Sequence, residues 1–96
     1  MITKQYAQNK IEKLLKSDFK DQVVILEEAT IESKFCWVFF YQSKKYIETQ
    51  DFSYQLAGNA PYIVSKIDGA IEETGTAYNI AHYIDIFENK MKRSKI

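Results

Sequence analysis

Apolar and polar positions recur with two different periods along this chain, and they sort it into two helices around a block of strands. Ala7, Ile11, Leu14 and Leu15 fall at i, i+4, i+7 and i+8, the spacing that lines up on one face of a helix. Lys4, Lys10, Lys13 and Lys16 flank that stripe and face water. Thr3 is placed to cap the helix, with Ile2 set to staple against Ala7. The pattern fades near Ser17-Asp18, and Phe19 is expected to tuck under the sheet. At the other end Ile80, Tyr83, Ile84, Phe87 and Met91 form a second stripe behind Asn79, a good capping residue. Lys90, Lys92 and Arg93 occupy its last turn, where cations suit the negative end of the helix dipole.

Between the helices the period shortens. Val23 to Glu32 is rich in β-branched residues and reads as the first strand, with Glu28, Thr30 and Glu32 on one face opposite Ala29 and Ile31. Ser33-Lys34 links it to Phe35–Tyr41, where both parities are apolar, so that strand is central and buried on both sides. Gln42 to Ala57 is the least regular stretch. There Tyr46 and Ile47 extend or flank a strand edge, and Asp51-Phe52-Ser53 forms a turn. Gly58-Asn59 permits positive φ, and Pro61 starts the next strand, Tyr62 to Ile67. Asp68-Gly69 favours a tight type I′ hairpin into Ala70–Thr74. The pattern predicts an α+β fold: an N-terminal helix, a roughly four-stranded and mainly antiparallel sheet, and a C-terminal helix, both helices packed on one face. It leaves open whether the first and third strands are neighbours or edges.

Composition narrows the class. Ninety-six residues with 46% apolar and 27% charged side chains fit one globular domain spanning 1–96. Aromatics reach 15%, and in a domain this small they supply much of the buried area, each removing roughly 150–250 Å² from water. Met1 to Lys20 lacks the basic-then-apolar pattern of a leader, and no apolar run approaches the roughly 20 residues of a membrane span. The expected location is the cytoplasm, without membrane contact. Formal charge is zero overall but uneven: residues 27–88 carry ten acids against four lysines, a net of −6, while 89–96 carry four cations. An acidic middle argues against nucleic-acid binding, which needs a basic face, and suits a basic protein partner.

Candidate chemistry is sparse. His82 is the lone histidine and falls on the polar side of the last helix, whereas triads and common zinc sites combine His with Cys, Asp or a second His. Glu27-Glu28 and Glu72-Glu73 are adjacent in sequence, so each pair splits across two faces of a strand. Gly58-Asn59-Ala60-Pro61 lacks the lysine and glycine spacing of a phosphate loop. Trp37 and its neighbours would stack on bases only with basic residues beside them, and a packed core explains them better. Cys36 reads as a small buried thiol. These patterns predict no catalytic residues, no metal and no cofactor.

Cys36-Trp37-Val38-Phe39-Phe40-Tyr41-Gln42-Ser43, then Tyr46 and Glu48, Leu56-Ala57-Gly58-Asn59-Ala60-Pro61-Tyr62-Ile63-Val64, Asp68-Gly69, Gly75-Thr76-Ala77 and Tyr83-Ile84 resemble the immunity protein 35 family, which includes the YrhB-type domains. The resemblance runs over roughly residues 5 to 88, and the ordered succession of these segments is more specific than any one of them. Cys36 departs from it, since the family pattern has Gly there. The resemblance implies a small cytosolic protein of a bacterial polymorphic-toxin system, which binds a cognate toxin domain and occludes its active site without catalysis. The resemblance implies tight binding, up to the Kd range of roughly 10⁻¹³–10⁻¹⁶ M that some nuclease–inhibitor pairs reach, resting on a few aromatic hot spots rimmed by polar groups. Tyr46, Glu48, Tyr54, Glu72 and Glu73 are the candidate partner-binding residues, because they lie in the irregular stretch or on the acidic hairpin and no core stripe uses them. The alternative is a chaperone-like or stress-related binding protein of the YrhB type, which needs an exposed apolar patch for many clients.

Overall fold

The structure, a computed structural model, describes residues 1–56 and 59–94, and of residues 92–94 the backbone alone. Helix α1 (Lys4–Phe19) begins at Thr3, whose Oγ1 accepts the Tyr6 N–H at 3.1 Å. Strands β1 (Val23–Ile25), β2 (Ile31–Glu32), β3 (Cys36–Phe39) and β4 (Tyr41–Ser43) follow, then a short helix α2 (Lys44–Thr49). Strands β5 (Tyr62–Ser65) and β6 (Ile71–Glu73) lead to helix α3 (Ile80–Ser94). Asn79 caps α3 as expected, its Oδ1 accepting the His82 N–H at 3.0 Å. The strands form a four-stranded antiparallel sheet in the order β2-β3-β5-β6 and a two-stranded sheet of β1 with β4. The architecture is α+β, and β3 and β5 are the central pair.

The strand expected over Val23–Glu32 is split in two. Ile25 lies opposite Tyr41 and Ile31 opposite Val38. The outer strand therefore advances six residues where the inner one advances three. The surplus coils into a 3₁₀ turn at Glu27–Ala29, and the Leu26 N–H still reaches the Phe40 carbonyl at 2.8 Å. This is a large bulge in one long hairpin, and it bends the outer strand as bulges do.

The two helices do not share a face. Trp37, Phe39, Tyr41, Tyr62 and Val64 pack with Ala7, Ile11 and Leu15 of α1. Cys36, Val38 and Ile63, of the opposite parity, pack with Phe87 of α3. The reason is in the sequence: β3 is buried at every position on both faces, so one helix cannot cover it. Phe19 does tuck in, its ring 5.6 Å from that of Tyr41.

Other expectations are corrected locally. Tyr46 and Ile47 lie in α2 instead of flanking a strand, because Ser43 ends β4 and its Oγ caps the helix through the Tyr46 N–H at 3.2 Å. Asp51-Phe52-Ser53 does turn, as the start of a 3₁₀ turn at Phe52–Tyr54. Gly69 takes φ +76°, yet the hairpin is not type I′, which needs positive φ at both central residues. Four residues, Lys66 to Gly69, lie between the paired Ser65 and Ala70, with the Gly69 N–H donating to the Ser65 carbonyl at 3.0 Å. Strand β5 accordingly stops at Ser65. Gly58, Lys95 and the side chains of Lys92 and Arg93 lie outside the described residues.

Candidate partner-binding surface

The segment from Gln42 to Leu56 is irregular in sequence but closely specified by hydrogen bonds. Helix α2 stops where Gln50 turns left-handed at φ 60°. Thr49 Oγ1 donates to the Lys45 carbonyl at 2.8 Å and accepts the Asp51 N–H at 3.2 Å. Asp51 Oδ1 then accepts both the N–H and the hydroxyl of Ser53, at 2.9 and 2.8 Å. The backbone and side-chain bonds from Ser53 hold the Asp51 carboxyl below its usual range. At the far end Gln42 clamps the chain to β4: its Oε1 accepts the Leu56 N–H at 2.6 Å and the Ser43 N–H at 2.8 Å.

This scaffold presents aromatic side chains to water. Phe52 is 76% exposed, Ile47 41% and Tyr54 40%. Tyr46, half-buried, sits beneath Phe52 with ring centroids 6.0 Å apart. Lys45 places its Nζ 4.6 Å from the Tyr54 ring centre, a cation–π contact. Glu48 is exposed and lines a shallow depression with Asp21, Gln22, Lys44 and Lys45. An apolar cluster held outward by polar scaffolding, with charges around it, has the composition of a binding hot spot.

Of the five residues singled out from the sequence, three come together here: Tyr46, Glu48 and Tyr54. Glu72 and Glu73 do not join them. They lie on β6, an edge of the four-stranded sheet, and point to opposite faces. Glu72 pairs with Lys90 of α3 at 3.1 Å. Glu73 adds negative charge near the stacked Tyr41 and Tyr62, whose phenols burial already raises above their ordinary range. Beside Tyr46, Glu48 and Tyr54 the structure exposes Phe52 and Ile47, which the sequence reading does not single out. The available signal was a phenylalanine inside a turn-forming stretch, where no core stripe required it.

Elsewhere the reactive groups serve structure. Cys36 is fully buried, and burial pushes its thiol up to about 11. Trp37 is buried under Lys66, whose Nζ lies 5.2 Å from the ring and pairs with Glu32 at 2.7 Å. His82 is exposed and stacks on Tyr78 at 4.2 Å. Among the described residues, no three His, Cys, Asp or Glu side chains cluster to hold a metal, and no helix is long and apolar enough to cross a membrane.

Comparison with known proteins gives two matches. The family model described as Immunity protein 35 matches residues 5–83. A protein of Escherichia coli (strain K12) described as "Uncharacterized protein YrhB" is 39% identical over 54 residues, covering 56% of this chain and 57% of the relative. The chain thus matches little more than half of that relative's length. No solved structure matches.

Proposed function

The chain belongs to the immunity protein 35 family, and from that premise we propose that it neutralises a cognate bacterial toxin domain in the cytoplasm. It binds the toxin directly, covers its active site and performs no chemistry of its own. The family supports toxin neutralisation in general. The observation that carries the finer reading is Phe52, held 76% exposed on a hydrogen-bonded turn beside Tyr46, Ile47 and Tyr54. An aromatic ring fixed in this way loses little conformational entropy when it enters a partner's cleft, which is how preorganisation gains affinity.

The mechanism is occlusion. The aromatic knuckle fills a concavity at the toxin's active site, and the charged rim of Lys45, Glu48 and Asp51 sets orientation and speeds encounter. The test is co-expression with toxin domains encoded beside the protein's own reading frame. Rescue of growth together with a stoichiometric complex supports the reading. The same apolar knuckle is also the feature that a chaperone-like binder would need. Failure to bind any such domain, with suppressed aggregation of unrelated proteins, would replace immunity by that alternative.

A further inference from the structure

The two-stranded sheet is covered on one face only. Val23, Ile25 and Tyr41 turn to the α1 core. Val24 on β1 and Leu26 just beyond it have the opposite parity; both are half-buried, and neither joins a core. Over them lies an open groove of about 450 Å³, which Ile25 also borders, bounded by Ile47 of α2 and by the 3₁₀ turn at Glu27–Ala29. The turn is fixed by its own bonds: the Ala29 N–H reaches the Leu26 carbonyl at 2.9 Å and the Thr30 N–H the Glu27 carbonyl at 3.2 Å. The shape of the groove is therefore set before anything enters it.

Its charge has one sign. Glu27 and Glu28 are the charged residues of its wall, and both are exposed. The Glu28 carboxylate forms no ion pair or hydrogen bond among the described residues. Glu27 accepts from the neutral Gln8 amide at 2.7 Å, which fixes the carboxylate without neutralising it. The lysines near Ile47 on α2 are turned elsewhere: Lys45 Nζ lies 4.6 Å from the Tyr54 ring centre, and Lys44 lines depressions shared with Asp21. By contrast, the cleft between β1 and α1 sets Glu12, Asp21 and Glu27 against Lys16, Lys20 and Lys44 and carries no such bias. An apolar floor with carboxylates at its rim matches a side chain that is hydrocarbon along its length and cationic at its end.

We infer that this groove seats a basic segment of the partner protein, through the stem and head of one arginine. The aliphatic stem lies on Val24, Leu26 and Ile47, and the guanidinium meets the Glu28 carboxylate, with Glu27 adding to the field. Arginine suits the place better than lysine, because its planar fork bonds a carboxylate through two donors and is more weakly hydrated than an ammonium. An acidic segment is repelled here, and a wholly apolar one leaves Glu28 desolvated and unpaired. Ile47 belongs both to this groove and to the exposed cluster around Phe52, so one partner surface spans the two. The inference deepens the proposed function by naming the partner's chemistry at this surface, and it rests on that reading only for the partner being a toxin.

The probe is a blocked Leu-Arg-Leu peptide, titrated into the isotope-labelled full chain by NMR beside its citrulline and glutamate counterparts. The arginine peptide should shift the amides of Val24, Leu26, Glu28 and Ile47. It should bind about fivefold or more tightly than the citrulline form, which lacks the charge. The glutamate form should leave those amides unchanged. Glu28→Gln should remove most of the preference for arginine over citrulline, and Ile47→Ser should weaken both peptides. Both positions are exposed, so neither variant endangers the fold. No shift at millimolar peptide, equal affinity for arginine and citrulline, or shifts confined to other residues would overturn the inference, as would a preference that survives Glu28→Gln. Arginine binding in the groove together with failed toxin rescue would sink the immunity reading and keep this site. Toxin rescue that survives both variants, with no arginine bound in the groove, would sink this site alone.

Discussion

Gln42 ties the aromatic knuckle to the sheet, and Gln42→Ala should show how much that tie contributes. The substitution deletes two short acceptor bonds, to the N–H groups of Leu56 at 2.6 Å and Ser43 at 2.8 Å, and one long donor bond to the Leu56 carbonyl at 3.4 Å. Taking about 0.5–1.5 kcal/mol net for each short bond and nothing for the long one, the loss is about 1–3 kcal/mol. Urea unfolding measures it directly. With a slope of roughly 1–3 kcal/mol per molar, the midpoint should fall by about 1 M while the slope stays constant. Gln42→Glu keeps the acceptor oxygen and loses only the long bond, so it should retain most of the stability. The Leu56 amide should exchange faster in the alanine variant and stay protected in the glutamate one. A loss below roughly 0.5 kcal/mol for alanine, or equal damage from both substitutions, would refute the clamp.

Three further outcomes follow from the same geometry. Phe52→Ala should leave stability within roughly 0.5 kcal/mol, since the ring is mostly in water, yet cost about 2 kcal/mol or more in partner affinity by calorimetry. Gly75→Ala would set a Cβ 2.5 Å from the Tyr83 hydroxyl, an overpacking cost of about 1–3 kcal/mol; adding Tyr83→Phe should recover part of it, and additive unfolding energies would contradict the clash. Burial raises the Cys36 thiol from near 9 to about 11, so between those values the unfolded chain loses its proton while the native one keeps it. Stability should therefore fall as pH rises from about 9 to about 11. Tyr41 and Tyr62 are raised too, so the Cys36 share is read as the part of the slope that Cys36→Ala removes in thermal melts.

What the sequence disclosed follows from which forces have short-range signatures. The stripes of α1 and α3, their caps at Thr3 and Asn79, and the doubly apolar β3 were legible because period and capping act within a few residues. The face each helix covers was not, although β3 held the clue: two apolar parities require two covers. The split of Val23–Glu32 depends on pairing with Tyr41 and Val38, a register that no local pattern encodes. Helix α2 was hidden because Lys44–Thr49 has no apolar stripe; Ser43 and Thr49 define it through side-chain bonds. At the surface, elimination from the core singles out Tyr46, Glu48 and Tyr54, which the structure places on one segment outside the core. Phe52 is not singled out because a turn residue and an exposed ring look alike in one dimension.

The division of labour between the two sheets bears on how recognition can change without loss of the fold. The four-stranded sheet has a helix on each face, so its strands are committed to packing, with Phe39, Val38, Ile63 and Val64 fully or almost fully buried. The β1–β4 sheet is anchored on one side only, where Val23, Ile25 and Tyr41 join the α1 core. The knuckle at Phe52 and the exposed Lys16, Lys20 and Lys44 face outward and add little to that core. A substitution at Phe52, Glu48 or Lys20 therefore changes the exposed surface at small cost in folding, whereas truncating Phe39 creates a cavity costing about 3–5 kcal/mol. The bulge at Glu27–Ala29 makes this possible. It lets the outer strand leave the main sheet, so that β1 pairs with β4 while β2 stays paired with β3.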